Sequence, residues 1–129
     1  MRAFLFPGQG SQKVGMGAEL AAASAAAREV FGEVDEALGQ HLFALMREGP
    51  EGELTATQNA QPAIMANGMA TLRVLEADFG VRIGEAAACA AGHSLGEYTA
   101  LCAMGAFSLA DAARLLRLRG EAMQAAVPR

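Results

Sequence analysis

Five consecutive residues, Gly92-His93-Ser94-Leu95-Gly96, constrain this chain more than any other stretch. They fit the pattern G-x-S-x-G. The small apolar run Ala87-Ala88-Cys89-Ala90-Ala91 precedes them, and a helical segment from about Leu95 to Met104 follows. A strand that turns sharply into a helix, with Ser at the apex, is the nucleophile elbow. The flanking glycines remove side chains that would clash in so tight a turn. The Ser then sits at a helix N-terminus, where free N–H groups and the helix dipole stabilise negative charge. The Leu95 N–H becomes one candidate donor to an oxyanion. Propensity alone reads Ala87–Ala91 as helix, but its place just before Gly92 favours a buried strand. On this motif alone, a Ser in an ordinary Gly-rich turn stays open.

The rest of the chain must supply a fold around that turn. Its 129 residues allow one domain at most. The hydrophobic share is 53%, but much of it is Ala, and Leu and Met outnumber Val and Ile. That balance favours helices and few strands, with a thin core. Ala3-Phe4-Leu5-Phe6, closed by Pro7-Gly8, reads as a second buried strand. Glycines make the following ten residues a loop. Helical periodicity starts near Ala18, and Ala21 to Leu38 reads as one surface helix with Val30, Phe31, Val34 and Leu38 on a stripe. Leu42 to Met46 is a short helical turn. Gln61-Pro62 opens the clearest long helix, since Pro is tolerated at a first helical position, and Gly80 ends it. Val81 and Ile83 suggest a short extended stretch. Ser108-Leu109-Ala110-Asp111 resembles a capping box and starts a last helix that reaches about Ala126.

Charge excludes some partners. Ten basic and fourteen acidic residues give a net charge of −4. No basic block of the kind that grips nucleic acid is present, and no apolar run is long enough to span a membrane. Met1 to Phe6 carries a charge and apolar residues, but Pro7-Gly8 ends the run too early for a signal peptide. Cys89 and Cys102 lack metal-ligand spacing, so the expectation is two buried, reduced thiols in a cytoplasmic protein, with no metal site.

Three further features bear on chemistry. Phe6-Pro7-Gly8-Gln9-Gly10-Ser11-Gln12 follows a strand, and its glycines let the backbone approach a ligand. It is neither a dinucleotide fingerprint nor a P-loop, and alone it reads equally well as a plain loop. Arg119 falls in the middle of an apolar face formed by Ala112, Leu115, Leu116, Ala122, Met123 and Ala126, with Arg114, Arg117, Glu121 and Gln124 opposite. A guanidinium on an inner face needs an anion. That anion is either an internal carboxylate or a substrate carboxylate held by a bidentate clamp, unless the side chain snorkels to the surface. Neither His is a convincing base for Ser94. His93 lies inside the elbow and points away, and His41 has a surface setting. Glu97 is a further acidic candidate that could equally be structural.

Taken together, these motifs resemble the malonyl-CoA:acyl carrier protein transacylases. The matching pieces are Phe6 to Gln12, Gln61-Pro62-Ala63, Gly92 to Tyr98, and Arg117-Leu118-Arg119-Gly120 followed by Met123-Gln124. Acyltransferase domains of polyketide synthases share most of them. The resemblance implies a fold class: α/β, the helix-rich N-terminal part of an α/β-hydrolase-like large subdomain with short parallel strands. Residues 1–129 would be one partial acyltransferase large subdomain. It also implies ping-pong transfer, in which Ser94 takes malonyl from coenzyme A and passes it to the phosphopantetheine thiol of acyl carrier protein. Gln9 and Leu95 would donate to the oxyanion, Arg119 would hold the malonyl carboxylate, and Gln61 would line the site. No bound cofactor is implied.

Family members are well over twice this long. Their catalytic His and a small ferredoxin-like subdomain lie in the part with no counterpart here. The resemblance therefore implies a fragment, or one half whose partner is a separate C-terminal chain. Alone it is expected to be a poor transferase, because Ser without a base loses orders of magnitude in rate. It is also expected to expose an apolar face. A non-catalytic module binding coenzyme A or carrier protein is the alternative, and a hydrolase a weaker one.

Overall fold

The computed structural model describes residues 1–127. In chain order the elements are β1 (Ala3–Phe6), α1 (Ala18–Ala23), α2 (Ala25–Leu38), α3 (Leu42–Glu48), α4 (Glu51–Thr55), α5 (Thr57–Phe79), α6 (Ile83–Ala86), β2 (Cys89–Gly92), α7 (Leu95–Ala103) and α8 (Leu109–Ala126). Among the described residues the strands form one two-stranded parallel sheet, with Ala3 opposite Cys89 and Phe6 opposite Gly92. The helix-rich α/β expectation holds at that level.

The core is built around α5. Residues Ala60 to Ala66 are all buried without a break, so this stretch is enclosed on every side rather than along one stripe. Helices α2, α7 and α8 pack around it. The many alanines let helix axes approach closely, and the larger side chains Met65, Met69, Phe31 and Leu116 fill the remaining space. On α2 the buried residues Ala27, Val30, Phe31 and Val34 follow helical spacing, and the Phe31 ring stacks on Phe43 at 4.2 Å between centroids.

Several local expectations are corrected by this packing. The long helix α5 begins at Thr57, not at Gln61-Pro62, and Pro62 lies inside it. Pro62 forfeits the hydrogen bond to the Gln58 carbonyl, yet complete burial near the helix start holds the turn in place. Ala21 to Leu38 is two helices, because the backbone of buried Ser24 is extended and starts α2 afresh. Val81 is not part of a strand. Its N–H closes the end of α5 on the Leu75 carbonyl at 2.9 Å, and Ile83 begins the short helix α6. Ala87 and Ala88 precede β2 rather than belonging to it.

The strands are buried on one face only, where Phe6 joins the core and Phe4 and Ala90 pack against it. Leu5 is 76% exposed and Cys89 is exposed, because no other described strand or helix covers those faces. Only Cys102 is buried, which pushes its thiol pKa upward. An open, largely apolar cleft of about 340 Å³ runs between β1 and α5, lined by Phe4, Leu5, Ile64 and Leu75 among others. Among the described residues no helix is long and apolar enough to cross a membrane.

Candidate active site

The parallel register brings the ends of β1 and β2 side by side. The His93 N–H donates to the Phe6 carbonyl at 3.2 Å, so the ladder runs one residue past Gly92. The chain then reverses. Gly96 N–H donates to the His93 carbonyl and Glu97 N–H to the Ser94 carbonyl, both at 3.0 Å. Ser94 sits between them at φ 56° and ψ −115°, the one non-glycine residue with positive φ among the described residues. The glycine requirement is steric. A Cβ on Gly92 would overlap the Gly96 carbonyl, and one on Gly96 would overlap the Phe6 carbonyl. The elbow read from the sequence is therefore present, with α7 beginning at Leu95.

Two backbone N–H groups, one at the start of α7 and one in the loop beside the elbow, have no acceptor among the described residues. Leu95 is the first residue of α7, so its N–H has no partner within the helix. Among the described residues neither its N–H nor that of Gln9 donates to another group. The Gln9 loop lies against the elbow, since a Cβ on Gly8 would come within 2.7 Å of the His93 carbonyl. Ser11 Oγ donates to the Gly8 carbonyl at 2.7 Å, and Gln9 Nε2 donates to Thr57 Oγ1 at 3.2 Å.

Arg119 reaches across from α8. Its Nη2 donates to Ser94 Oγ at 3.1 Å, and its Nη1 donates to Gln61 Oε1 at 2.7 Å. Gln61 is completely buried and uses its Nε2 to reach Met123 Sδ at 3.3 Å. The guanidinium carbon also lies 5.5 Å from the centre of the Tyr98 ring, a cation–π contact. Tyr98 was not singled out from the sequence for this role, although its place one helical turn after Ser94 puts it on the same face of α7.

The inward face of α8 differs from the apolar face expected from the sequence. The buried stripe of α8 is Leu109, Ala112, Ala113, Leu116 and Gly120, while Leu115 and Met123 are exposed. Arg119 flanks this stripe instead of occupying its middle. Arg117, read as solvent-facing, flanks the other edge and is half-buried. The Ser108 cap behaves as expected, its side chain accepting from the Asp111 N–H.

Ser94, Gln61 and Arg119 thus form one contact group, while the Gln9 side chain bonds to Thr57, one helical turn before Gln61 on α5. His93 and His41 are both exposed, and neither bonds to Ser94. Glu97 is exposed and touches the elbow only through its backbone. Among the described residues no group of three His, Cys, Asp or Glu could hold a metal ion. The arrangement combines a hydroxyl on a strained apex, a cation 3.1 Å from it, and an unbonded N–H at the start of the helix that follows. Chemically it suits attack on a carbonyl whose substrate carries an anion.

The acyl transferase domain family model matches residues 3–129. The chain belongs to this family. The malonyl CoA-acyl carrier protein transacylase of Escherichia coli K12 is 48% identical over 126 residues, which is 98% of this chain and 40% of that protein. The crystal structure of an acyl-carrier-protein-S-malonyltransferase from Bartonella henselae superimposes with a TM-score of 0.95 at 58% identity, over 98% of this chain and 40% of that one. A malonyl-transacylase in complex with a type II polyketide synthase acyl-carrier protein gives 0.90 at 46% identity, with the same coverage. This acyl transferase chain therefore spans about two-fifths of the length of the relatives it matches.

Proposed function

We propose that this chain is the nucleophile-bearing part of a malonyl-CoA:acyl carrier protein transacylase. The observation that carries the reading is the Arg119 guanidinium, bonded at once to Ser94 Oγ and to buried Gln61. Gln61 fixes one nitrogen of the fork, which leaves the other aimed at the serine. A malonyl group esterified to Ser94 would bring its free carboxylate to that nitrogen for a charge-assisted hydrogen bond. An acetyl group offers it nothing.

In this reading Ser94 Oγ attacks the thioester carbonyl of malonyl-CoA and loses its proton to a base. The Leu95 and Gln9 N–H groups hold the oxyanion. The C–S bond breaks, coenzyme A leaves as the protonated thiol, and malonyl-Ser94 remains. The thiol of a phosphopantetheinyl carrier protein then gives its proton to the base and attacks the ester, and the base passes that proton to Ser94 Oγ as the C–O bond breaks. The transfer calls for no bound cofactor. The relative solved with a type II polyketide synthase acyl-carrier protein supports such a protein as acceptor.

Residues 1–129 then form part of the large, α/β-hydrolase-like subdomain. The activating His, the ferredoxin-like subdomain and further strands would come from the remaining length of the relatives' sequences, on the same polypeptide or a second one. The cytoplasm is the proposed location. Exposing the protein that carries this chain to malonyl-CoA should add one malonyl group, mapped to Ser94 by peptide mass spectrometry. A label that persists in Ser94→Ala would overturn the assignment.

A further inference from the structure

The first turn of α5 joins both halves of the site. Thr57 accepts from the Gln9 side chain, and Gln61 holds Arg119. Asn59 lies between them and is held from another side. Its Oδ1 accepts from Arg117 Nη1 at 2.8 Å and from Gln40 Nε2 at 3.2 Å, and its Nδ2 donates to the Glu53 carbonyl at 2.8 Å. Arg117 Nη2 also donates to Gln40 Oε1. One guanidinium therefore ties α8 to the start of α5 and to the turn after α2.

The backbones meet at the same place. A Cβ on Gly120 would lie 2.6 Å from Gln58 Cα and 2.8 Å from the Thr57 carbonyl, so α8 and α5 touch directly there. Among the described residues no carboxylate bonds to Arg117, and its acceptors are neutral amide oxygens. Half-burial lowers its pKa, a cost that a side chain free to reach water would avoid. The planar fork serves two amide oxygens at once, which the single ammonium of Lys cannot do in the same geometry.

We propose that Arg117 is a positioning residue, and that its clamp with Asn59 and Gln40 sets the first turn of α5 so that Gln61 and Arg119 meet over Ser94. The geometry stands by itself, and the effect on malonyl loading rests on the function proposed above. The test uses Arg117→Met, Arg117→Lys and Gln40→Ala. In NMR spectra the Gln61 side-chain amide and the Arg119 Nε–H report their mutual contact. Both should shift in Arg117→Met, Lys should not restore them, and Gln40→Ala should move them less in the same direction. In the loading assay, KM for malonyl-CoA should rise roughly tenfold in Arg117→Met while kcat and acetyl loading change little. Equal losses for malonyl and acetyl would make the residue merely structural and overturn the proposal. Unmoved Gln61 and Arg119 signals in a folded Arg117→Met would do the same. Should that variant not fold, unmoved signals in Gln40→Ala decide against the clamp. A parent protein that never loads Ser94 would defeat the functional reading alone, and the NMR result would still judge the clamp.

Discussion

Replacing Ser94 with Gly should stabilise the protein relative to Ser94→Ala, although both changes abolish the nucleophile. Both variants lose Oγ and its bond to Arg119, so the difference between them isolates the backbone. Ser94 holds φ 56° with ψ −115°, outside even the small left-handed region open to ordinary residues. Such a conformation costs a residue with a Cβ on the order of 1–3 kcal/mol. Gly avoids that strain but loses about 0.5–1 kcal/mol more conformational entropy on folding. The net advantage of Gly over Ala should therefore be about 1 kcal/mol. Equilibrium urea unfolding reads it directly. With a slope of about 1.5 kcal/mol per molar, the Gly midpoint should lie roughly 0.7 M higher at unchanged slope. An Ala variant as stable as the Gly variant, or more so, would refute the idea that strain is stored at the apex.

Arg119→Ala should slow malonyl loading by about a hundredfold or more, the scale of a lost charge-assisted contact, and leave acetyl loading nearly unchanged. Single-turnover loading with the two thioesters checks this, and equal losses would remove the clamp role. Burial raises the pKa of Asp35 above 3.8, despite the Phe43 N–H that it accepts at 3.0 Å. The folded state then binds more protons than the unfolded one in that window, so this group's contribution to stability falls as pH rises through it. Asp35→Asn should gain on the parent in urea midpoint as pH rises from below 3.8 toward neutrality, and a constant gap would contradict this. Ser108→Ala should cost about 1 kcal/mol in thermal or urea unfolding, because its side chain caps α8 through the Asp111 N–H.

The signals that were legible in the sequence are local. The end of α5 at Gly80, the Ser108 start of α8 and the strand–elbow–helix around Ser94 each depend on a few neighbouring residues whose backbone preferences agree. The errors are non-local. Pro62 resembles a helix start in the sequence because the burial that offsets its cost inside a helix is not visible there. Cys89 looked buried because an apolar run does not say whether a neighbour covers it. Arg117 looked solvent-facing because a wheel centred on apolar residues misplaced the buried stripe, which the fold sets at Ala112, Leu116 and Gly120. A Ser within the Ala run is a helix-start signal, and it could have revealed the break at Ser24.

By itself the sequence determined the elbow. Gly92 and Gly96 are the residues that let two backbones pass without a Cβ between them, and Ser94 is the side chain left at the apex. It also marked Arg119 as a charge in need of a partner. The tertiary structure alone decided which partner. Gln61 and Ser94 lie 58 and 25 positions from Arg119 along the chain. Only the packing of α8 against α5 and α7 brings them within hydrogen-bond reach. Periodicity can state which face of a helix turns inward, but the distance between two helices is set by the small residues where they touch, here Gly120 against Thr57 and Gln58.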